Sequence, residues 1–171
     1  MRRPIARVPR PNSAFPILHS AFVSPFLILH FAFVSLLAAQ ETAIHRAALP
    51  PAVERTVAQQ SQGATIRGFS KEVEHGRTTY EMELTVAGRS KDVTMDSTGA
   101  VIEVEEQVAL DSLAPAVQQA IKAQAGTATI GTVERLTKGD KVVAYEAHVT
   151  ANGKRREIQV GPNGEKLEHE E

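Results

Sequence analysis

The sequence predicts an α+β protein made of two tandem repeats, each with one helix packed on a four-stranded antiparallel sheet. The segment "LPPAVERTVAQQSQGATI" begins at Leu49, and a near copy, "LAPAVQQAIKAQAGTATI", begins at Leu113. Apolar residues recur at helical spacing within both copies. Downstream, "TTYEMELTV" alternates polar and apolar residues, a pattern that is typical of a strand with one buried face.

The first 39 residues differ from the remainder and are predicted to be an export signal. They contain four arginines and no acidic residue, and the apolar run "FLILHFAFVSLLAA" extends from Phe26 to Ala39. A basic start followed by a short apolar stretch and small residues describes a secretory signal peptide. Residues 1–39 are therefore expected to be a cleaved signal peptide or, as the alternative, an uncleaved N-terminal anchor. The predicted location is periplasmic or secreted.

Composition excludes several classes of function. Cysteine is absent, which rules out disulfides, thiolate metal sites and cysteine nucleophiles. The leader holds four of the 19 Lys and Arg residues and none of the 20 Asp and Glu residues, so the rest of the chain has a net charge of −5. This charge opposes binding to nucleic acid and to anionic lipid. Phosphate-loop, dinucleotide, zinc-protease and nucleophile-elbow motifs are also missing, so neither an enzyme nor a cofactor is predicted.

Each repeat is predicted to start with a helix. Pro51 and Pro115 suit the first helical turn, where a missing N–H costs nothing. Gly63 and Gly126 are expected to end the two helices. A helix of about 12 residues is marginal alone, so its apolar stripe must pack on another element. These stripes are Leu49, Val53, Thr56 and Val57, and then Leu113, Val117, Ala120 and Ile121.

The strands after each helix are predicted from alternation and turn residues. "AGR" and "NGK" mark tight hairpins. Tyr80 and Tyr145 are expected to pack in the core beneath the helices. Inner-face residues are Tyr80, Met82, Leu84 and Val86 in the first repeat and Tyr145, Ala147 and Val149 in the second.

Two further features concern the strand edges and phase. Ile66 and Phe69 lie three residues apart, which predicts a β-bulge near Gly68, and the second repeat predicts another near Gly131. A repeat of about 60 residues buries only a modest core. The two repeats are therefore expected to dock, and edge strands that paired into one long sheet would remove exposed edges.

The repeated pattern resembles the PepSY and PepSY-like families of small secreted domains. The resemblance rests on "LPPAV" and "LAPAV", on "ATI" after each helix, on "GRTTYEMEL" and "KVVAYEAHV", and on "DSTGAVIEVEE" and "GPNGEKLEHEE". It predicts PepSY-like units over residues 44–110 and 111–171. The layout is also similar to β-lactamase inhibitor protein, in which tandem units present a sheet face to an enzyme. The resemblance implies an exported, non-catalytic binding or regulatory module that holds or inhibits an envelope enzyme such as a peptidase.

The solvent face of the sheet is the predicted partner-binding surface. The alternative is an ordinary solvated face, because antiparallel sheets often leave one side wet. The expected partner is an envelope protein, with membrane contact only through an uncleaved N-terminal segment. The predicted contact residues are Thr79, Glu81, Glu83, Thr85, Glu146, His148, Thr150 and Arg155.

Glu146 and His148 are also candidate metal ligands. They lie two residues apart on one strand face, which places their side chains next to each other. The first repeat has Glu83 where the second has His148, and scattered surface residues are the simpler interpretation. No metal ion is therefore predicted, and a small metal- or ligand-binding envelope sensor is kept as the alternative function.

Overall fold

The computed structural model of the protein describes residues 41–167, 169 and 171, and the predicted leader lies outside them. The described residues form one eight-stranded antiparallel sheet and two α-helices. Neither helix is long and apolar enough to cross a bilayer. The helices are α1 (Pro51–Gln60) and α2 (Pro115–Ala125). The strands, adjacent in chain order, are β1 (Thr42–Ala43), β2 (Thr65–Glu74), β3 (Arg77–Val86), β4 (Arg89–Asp96), β5 (Val101–Val108), β6 (Thr129–Lys138), β7 (Lys141–Ala151) and β8 (Lys154–Val160).

The prediction of two repeats that each have a four-stranded sheet of their own is wrong. Strand β5 of the first repeat pairs with β6 of the second, from Val104 opposite Thr137 to Val108 opposite Val133. Alternation identifies a strand but not its neighbour. Pairing of β5 with β6 satisfies backbone N–H and C=O groups that separate repeats would leave at exposed edges. The docking of edge strands considered above is therefore the pairing of β5 with β6 within one continuous sheet.

The second repeat contributes three strands to the sheet rather than the predicted four. The chain after β8 turns back on itself, and the Gly161 N–H donates to the Glu165 carbonyl at 2.8 Å. The predicted last strand offers only Leu167 as an inner apolar residue, whereas β5 of the first repeat packs Val101 and Val104 against the core, and the predicted inner residue Ile102 is exposed. Less apolar area is available there to hold a strand against the core. At the opposite edge of the sheet, β1 adds two residues beside β2.

Several local predictions are confirmed. Each helix begins at its proline, and Gly126 caps the end of α2 with φ of 61°. The pairing of β2 with β3 shifts register between Ile66 and Gly68. The pairing of β6 with β7 shifts between Ile130 and Val133, so both predicted bulges are present.

Both helices cover the same face of the sheet. Leu84, Lys91, Glu106, Arg135 and Tyr145 lie opposite one another in register from β3 to β7. Residues in one such row share a face. Leu84 belongs to the core beneath α1, and Tyr145 packs against the core beneath α2. The other side of the sheet is therefore a face without a helix, and it is called the open face below.

The core is divided into two clusters by a polar row. Glu106 lies 3.2 Å from Lys91 Nζ and also accepts a hydrogen bond from Arg135, on the helix side of the sheet. The charged row keeps the two apolar clusters apart. The first cluster is Leu49, Val53, Val57, Phe69, Tyr80, Met82, Leu84, Val93 and Met95. The second is Val117, Ile121, Ala125, Val133, Ala147, Val149, Ile158 and Val160, with Tyr145 at its margin.

Candidate functional site

The predicted partner-binding residues all lie on the open face. The four in β3 alternate with the buried Tyr80, Met82 and Leu84. Those in β7 alternate with the buried Ala147 and Val149. Arg155 in β8 lies opposite Thr150 of β7. By strand the set is Thr79, Glu81, Glu83 and Thr85, then Glu146, His148 and Thr150, then Arg155.

Carboxylates dominate the open face. Glu83, Asp92 and Glu105 lie side by side across three strands. Few cations offset them, although Lys138 Nζ lies 3.4 Å from Glu103 Oε2. The face therefore presents a surface of mainly negative groups. Its carboxylates include Glu81, Glu83, Asp92, Glu103, Glu105, Glu134, Glu146 and Glu157, and its cationic groups include Arg77, Lys138, Arg155 and His148.

Three of these residues converge at one point where β6 meets β7. Glu134 lies directly opposite Glu146, and His148 is two residues further along β7. His148 Nε2 is 3.2 Å from Glu134 Oε2 and 3.6 Å from Glu146 Oε1. One ligand atom from each residue lies within 4.8 Å of the others. We call Glu134, Glu146 and His148 the Glu–Glu–His cluster.

The remaining polar atoms of the cluster are held by neighbouring side chains. Ser90 Oγ donates to Glu134 Oε1 at 2.9 Å, and Gln159 Nε2 donates to Glu146 Oε2 at 2.9 Å. Glu157 Oε1 lies 3.3 Å from His148 Nδ1. Ser90 comes from the first repeat and the other two come from β8. The cluster is therefore supported from both sides of the junction between β5 and β6.

Electrostatics within the cluster are strongly coupled. Like charges directly opposite each other on adjacent strands are destabilising, so Glu134 and Glu146 need a compensating cation. Hydrogen bonds to Glu134 and then to Glu157 raise the pKa of His148 to about 10. Burial raises the pKa of the Glu146 carboxyl above its ordinary value. A protonated His148 therefore neutralises part of the negative charge at neutral pH.

Glu105 is the second perturbed group on the open face. It lies opposite Leu136 on β6, which is 2% exposed, and Leu136 in turn lies opposite the fully buried Ala144. This apolar surrounding and the nearby Glu103 raise the pKa of Glu105 to about 9. Glu105 is therefore neutral at pH 7. The open face has an apolar, partly buried centre that the alternation pattern does not reveal.

Sequence reasoning singled out Glu146 and His148 but missed Glu134. When the repeats are aligned, Ser70 stands where the second repeat has Glu134, and Glu83 stands where it has His148. These two differences between the repeats were the sequence feature that could have pointed to Glu134. The sequence alone does not show which residue lies opposite Glu146, because the bulge after Ile130 shifts the register between β6 and β7.

A groove of about 620 Å³ lies beside the polar row near the end of α1. Its lining includes Gln60, Val86, Arg89, Glu106 and Arg135. It shares no residue with the predicted partner-binding set. The groove nevertheless meets the open face at Ser90, which lines the groove and also donates to Glu134.

Comparison with known proteins supports a BLIP-like fold. A BLIP-like protein from Bacteroides fragilis superposes with a TM-score of 0.51 at 20% identity, over 70% of this chain and 83% of that chain. A DUF2874 family protein from Bacteroides ovatus gives a TM-score of 0.56 at 17% identity, over 71% and 86%. A protein from Bacteroides eggerthii, whose description provisionally assigns it to the periplasm, gives a TM-score of 0.57 at 16% identity. The match covers 70% of this chain and 86% of that chain.

Identities at this level establish a shared fold and nothing more. No protein-family model matches the chain. No curated protein matches it either. The resemblance to PepSY domains therefore stays a prediction from the sequence motifs.

Proposed function

We propose that the protein is an exported, non-catalytic binding module that holds a protein partner on its open face. The observation that carries this proposal is the group of carboxylates that β3 and β4 present on the helix-free side of the sheet, Glu81, Glu83 and Asp92. Both helices pack on the opposite side, and the C-terminal Glu171 contacts the open face at Lys138 and Gln159, so the part of the face formed by β3 and β4 is the part proposed for contact with another molecule. Binding covers the partner sterically and no bond is made or broken.

An envelope location is part of the proposal. The predicted leader, residues 1–39, supports export. The fold neighbour from Bacteroides eggerthii that is described as periplasmic supports the same compartment. Within it, a PepSY-like or BLIP-like module would regulate an envelope enzyme, such as a peptidase, by blocking access to it.

The charge of the open face specifies the chemistry of the partner. Neighbouring carboxylates such as Glu83 and Asp92 attract a cationic protein surface and disfavour an acidic one. The face carries no tryptophan, since the chain has none, and its tyrosines pack toward the helices. Aromatic anchors usually supply the strongest interface contacts. Association is therefore expected to be electrostatic, fast and sensitive to salt.

Site-specific photo-crosslinking tests this proposal. A photo-reactive residue at Thr85 on the open face is expected to capture a basic envelope protein, whereas one at the exposed Gln59 of α1 is not. The double charge reversal Glu81→Lys and Glu83→Lys should slow association at low salt by about tenfold or more. Association rates measured by surface plasmon resonance with the captured protein would check this effect.

The matched control is Asp140→Lys, which reverses one charge in the exposed turn between β6 and β7. This variant is expected to leave the association rate close to that of the wild type. Equal capture from Thr85 and Gln59, or equal loss of binding in the control, would contradict an open-face interface.

A second candidate function is a small metal-binding envelope sensor. The specific observation in its favour is the Glu–Glu–His cluster, in which three potential ligand atoms lie within 4.8 Å of one another. Titration of the purified protein with divalent cations separates this candidate from a module that binds protein alone.

A further inference from the structure

We propose that Glu134, Glu146 and His148 form a binding site for a zinc-like divalent transition metal. The site lies on the open face where β6 meets β7. It rests on the geometry of the Glu–Glu–His cluster and is independent of the proposed protein partner. Either proposal therefore stands if the other fails.

The spacing of the ligand atoms fits tetrahedral coordination. Zinc bonds to nitrogen and carboxylate oxygen of about 2.0–2.2 Å place neighbouring tetrahedral ligands about 3.3–3.6 Å apart. His148 Nε2 lies 3.2 Å from Glu134 Oε2 and 3.6 Å from Glu146 Oε1. The two carboxylate oxygens lie within 4.8 Å of each other, so a metal ion among the three atoms requires the Glu134 and Glu146 side chains to close around it. The fourth position remains for water or for a donor from another molecule.

The surrounding hydrogen bonds orient the three ligands as metal sites require. Histidine ligands commonly donate their second ring N–H to a carboxylate. Glu157 Oε1 is placed for this role, 3.3 Å from His148 Nδ1. Ser90 and Gln159 each hold the outer oxygen of a glutamate, so that its other oxygen faces His148 Nε2.

Burial gives the cluster a reason to bind a cation. The side chains of Glu134 and Glu146 are 10% and 13% exposed, whereas that of His148 is 32% exposed. Two largely buried carboxylates in direct opposition are costly without a neutralising charge. Without metal, the protonated His148 supplies part of that charge. A divalent ion that binds His148 Nε2 displaces this proton and supplies the positive charge in its place, and the more exposed His148 side gives the ion a path of entry.

The donor set selects the class of metal. Calcium prefers six to eight oxygen ligands, and magnesium requires octahedral oxygen coordination with several waters. One imidazole nitrogen and two carboxylate oxygens suit zinc, cobalt or nickel better. The first repeat does not reproduce the set, because Ser70 and Glu83 replace Glu134 and His148. One ion per chain is therefore expected at this site.

Isothermal titration calorimetry on the chelator-treated full chain tests the site. Zinc is expected to bind with a stoichiometry of one and much more tightly than calcium. Cobalt is expected to show the intense visible absorption of tetrahedral Co²⁺. His148→Asn should weaken zinc binding by more than about 100-fold, since it removes a ligand, and Glu157→Gln by about tenfold, since it removes only an orienting partner.

Two variants provide the controls. His75→Asn alters an exposed histidine that lies 3.6 Å from Glu74 and should leave zinc affinity unchanged. Glu134→Ser installs the residue that the first repeat has at the equivalent position, so the sheet is expected to tolerate it while zinc binding is lost. Circular dichroism confirms the fold of each variant. Equal zinc affinity in the His148 and His75 variants, or calcium binding as tight as zinc, would overturn the proposal.

Discussion

Replacing Gly99 by alanine is expected to destabilise the protein by about 3–5 kcal/mol. Gly99 has φ of 83°, and a Cβ atom there would lie 2.6 Å from the Ala52 carbonyl oxygen at the start of α1. A positive φ costs an alanine about 1–2 kcal/mol, and the backbone shift needed to relieve an overpacked contact costs about 1–3 kcal/mol. The shift would also stretch the 2.6 Å hydrogen bond from Thr56 Oγ1 to the Gly99 carbonyl.

The control for this prediction is Gly88→Ala. Gly88 has almost the same φ, 82°, but nothing lies within 4 Å of the added Cβ position. The Gly88→Ala variant should therefore lose only the free energy that a positive φ costs an alanine, about 1–2 kcal/mol. Gly164→Ala should match Gly99→Ala, because its Cβ would lie 2.6 Å from the Ala116 carbonyl oxygen of α2. Urea unfolding measures all three. Equal losses at Gly88 and Gly99 would mean that the turn does not pack against the helix as described.

Replacing Glu105 by glutamine is expected to stabilise the protein, relative to the wild type, progressively as the pH rises from about 4.5 to about 9. The pKa of Glu105 in the folded protein is about 9, whereas the ordinary pKa of a glutamate side chain is 4.5. The folded state therefore holds a proton that the unfolded state releases. The stability that it contributes is fully present below pH 4.5 and is lost as the pH rises through 9. A single proton difference corresponds to a slope of at most about 1.4 kcal/mol per pH unit.

His148 adds to the slope in the same direction. Its pKa rises from 6.5 to about 10 on folding, so its contribution is present below pH 6.5 and is lost as the pH rises through 10. Wild-type stability should therefore fall between pH 6.5 and 9. Glu105→Gln should remove about half of this slope, because a neutral amide replaces the neutral acid.

Urea unfolding from pH 5 to pH 9, with chelator present, measures the effect of Glu105→Gln. Glu41→Gln, at an exposed position before β1, should follow the wild-type curve. If the wild-type and Glu105→Gln curves were parallel across this range, Glu105 would not be the protonated group. A wild-type curve that rises with pH would contradict the contributions of both Glu105 and His148.

The residue pattern predicted much of the local structure correctly. The proline at each helix start, Gly126 at the end of α2 and the two bulges follow from short-range sterics, which the sequence displays directly. Burial of Tyr80 followed from alternation in the same way. These features depend on neighbours within a few residues. The prolines and the bulges occur twice, whereas the prediction that Gly63 ends α1 is wrong, because α1 ends at Gln60 and its C-cap is Ser61.

The pattern was insufficient at the level of the site. Glu146 and His148 were identifiable because they lie on one strand, and one strand has a fixed period of two. Glu134 comes from the next strand, and its position opposite Glu146 depends on a register shift near Gly131. Ser90 reaches the cluster only because β5 joins β6. The alternation of residues within one strand does not predict which residues of other strands lie beside them.

The order of apolar and polar residues was enough to predict the two helices, most of the strands and one polar sheet face. Only the tertiary structure decided that the repeats share one sheet, that the last segment leaves it, and that Glu134 meets His148. The physical reason is that alternation defines which side of a strand is buried, whereas strand partners and register depend on backbone hydrogen bonds between distant segments.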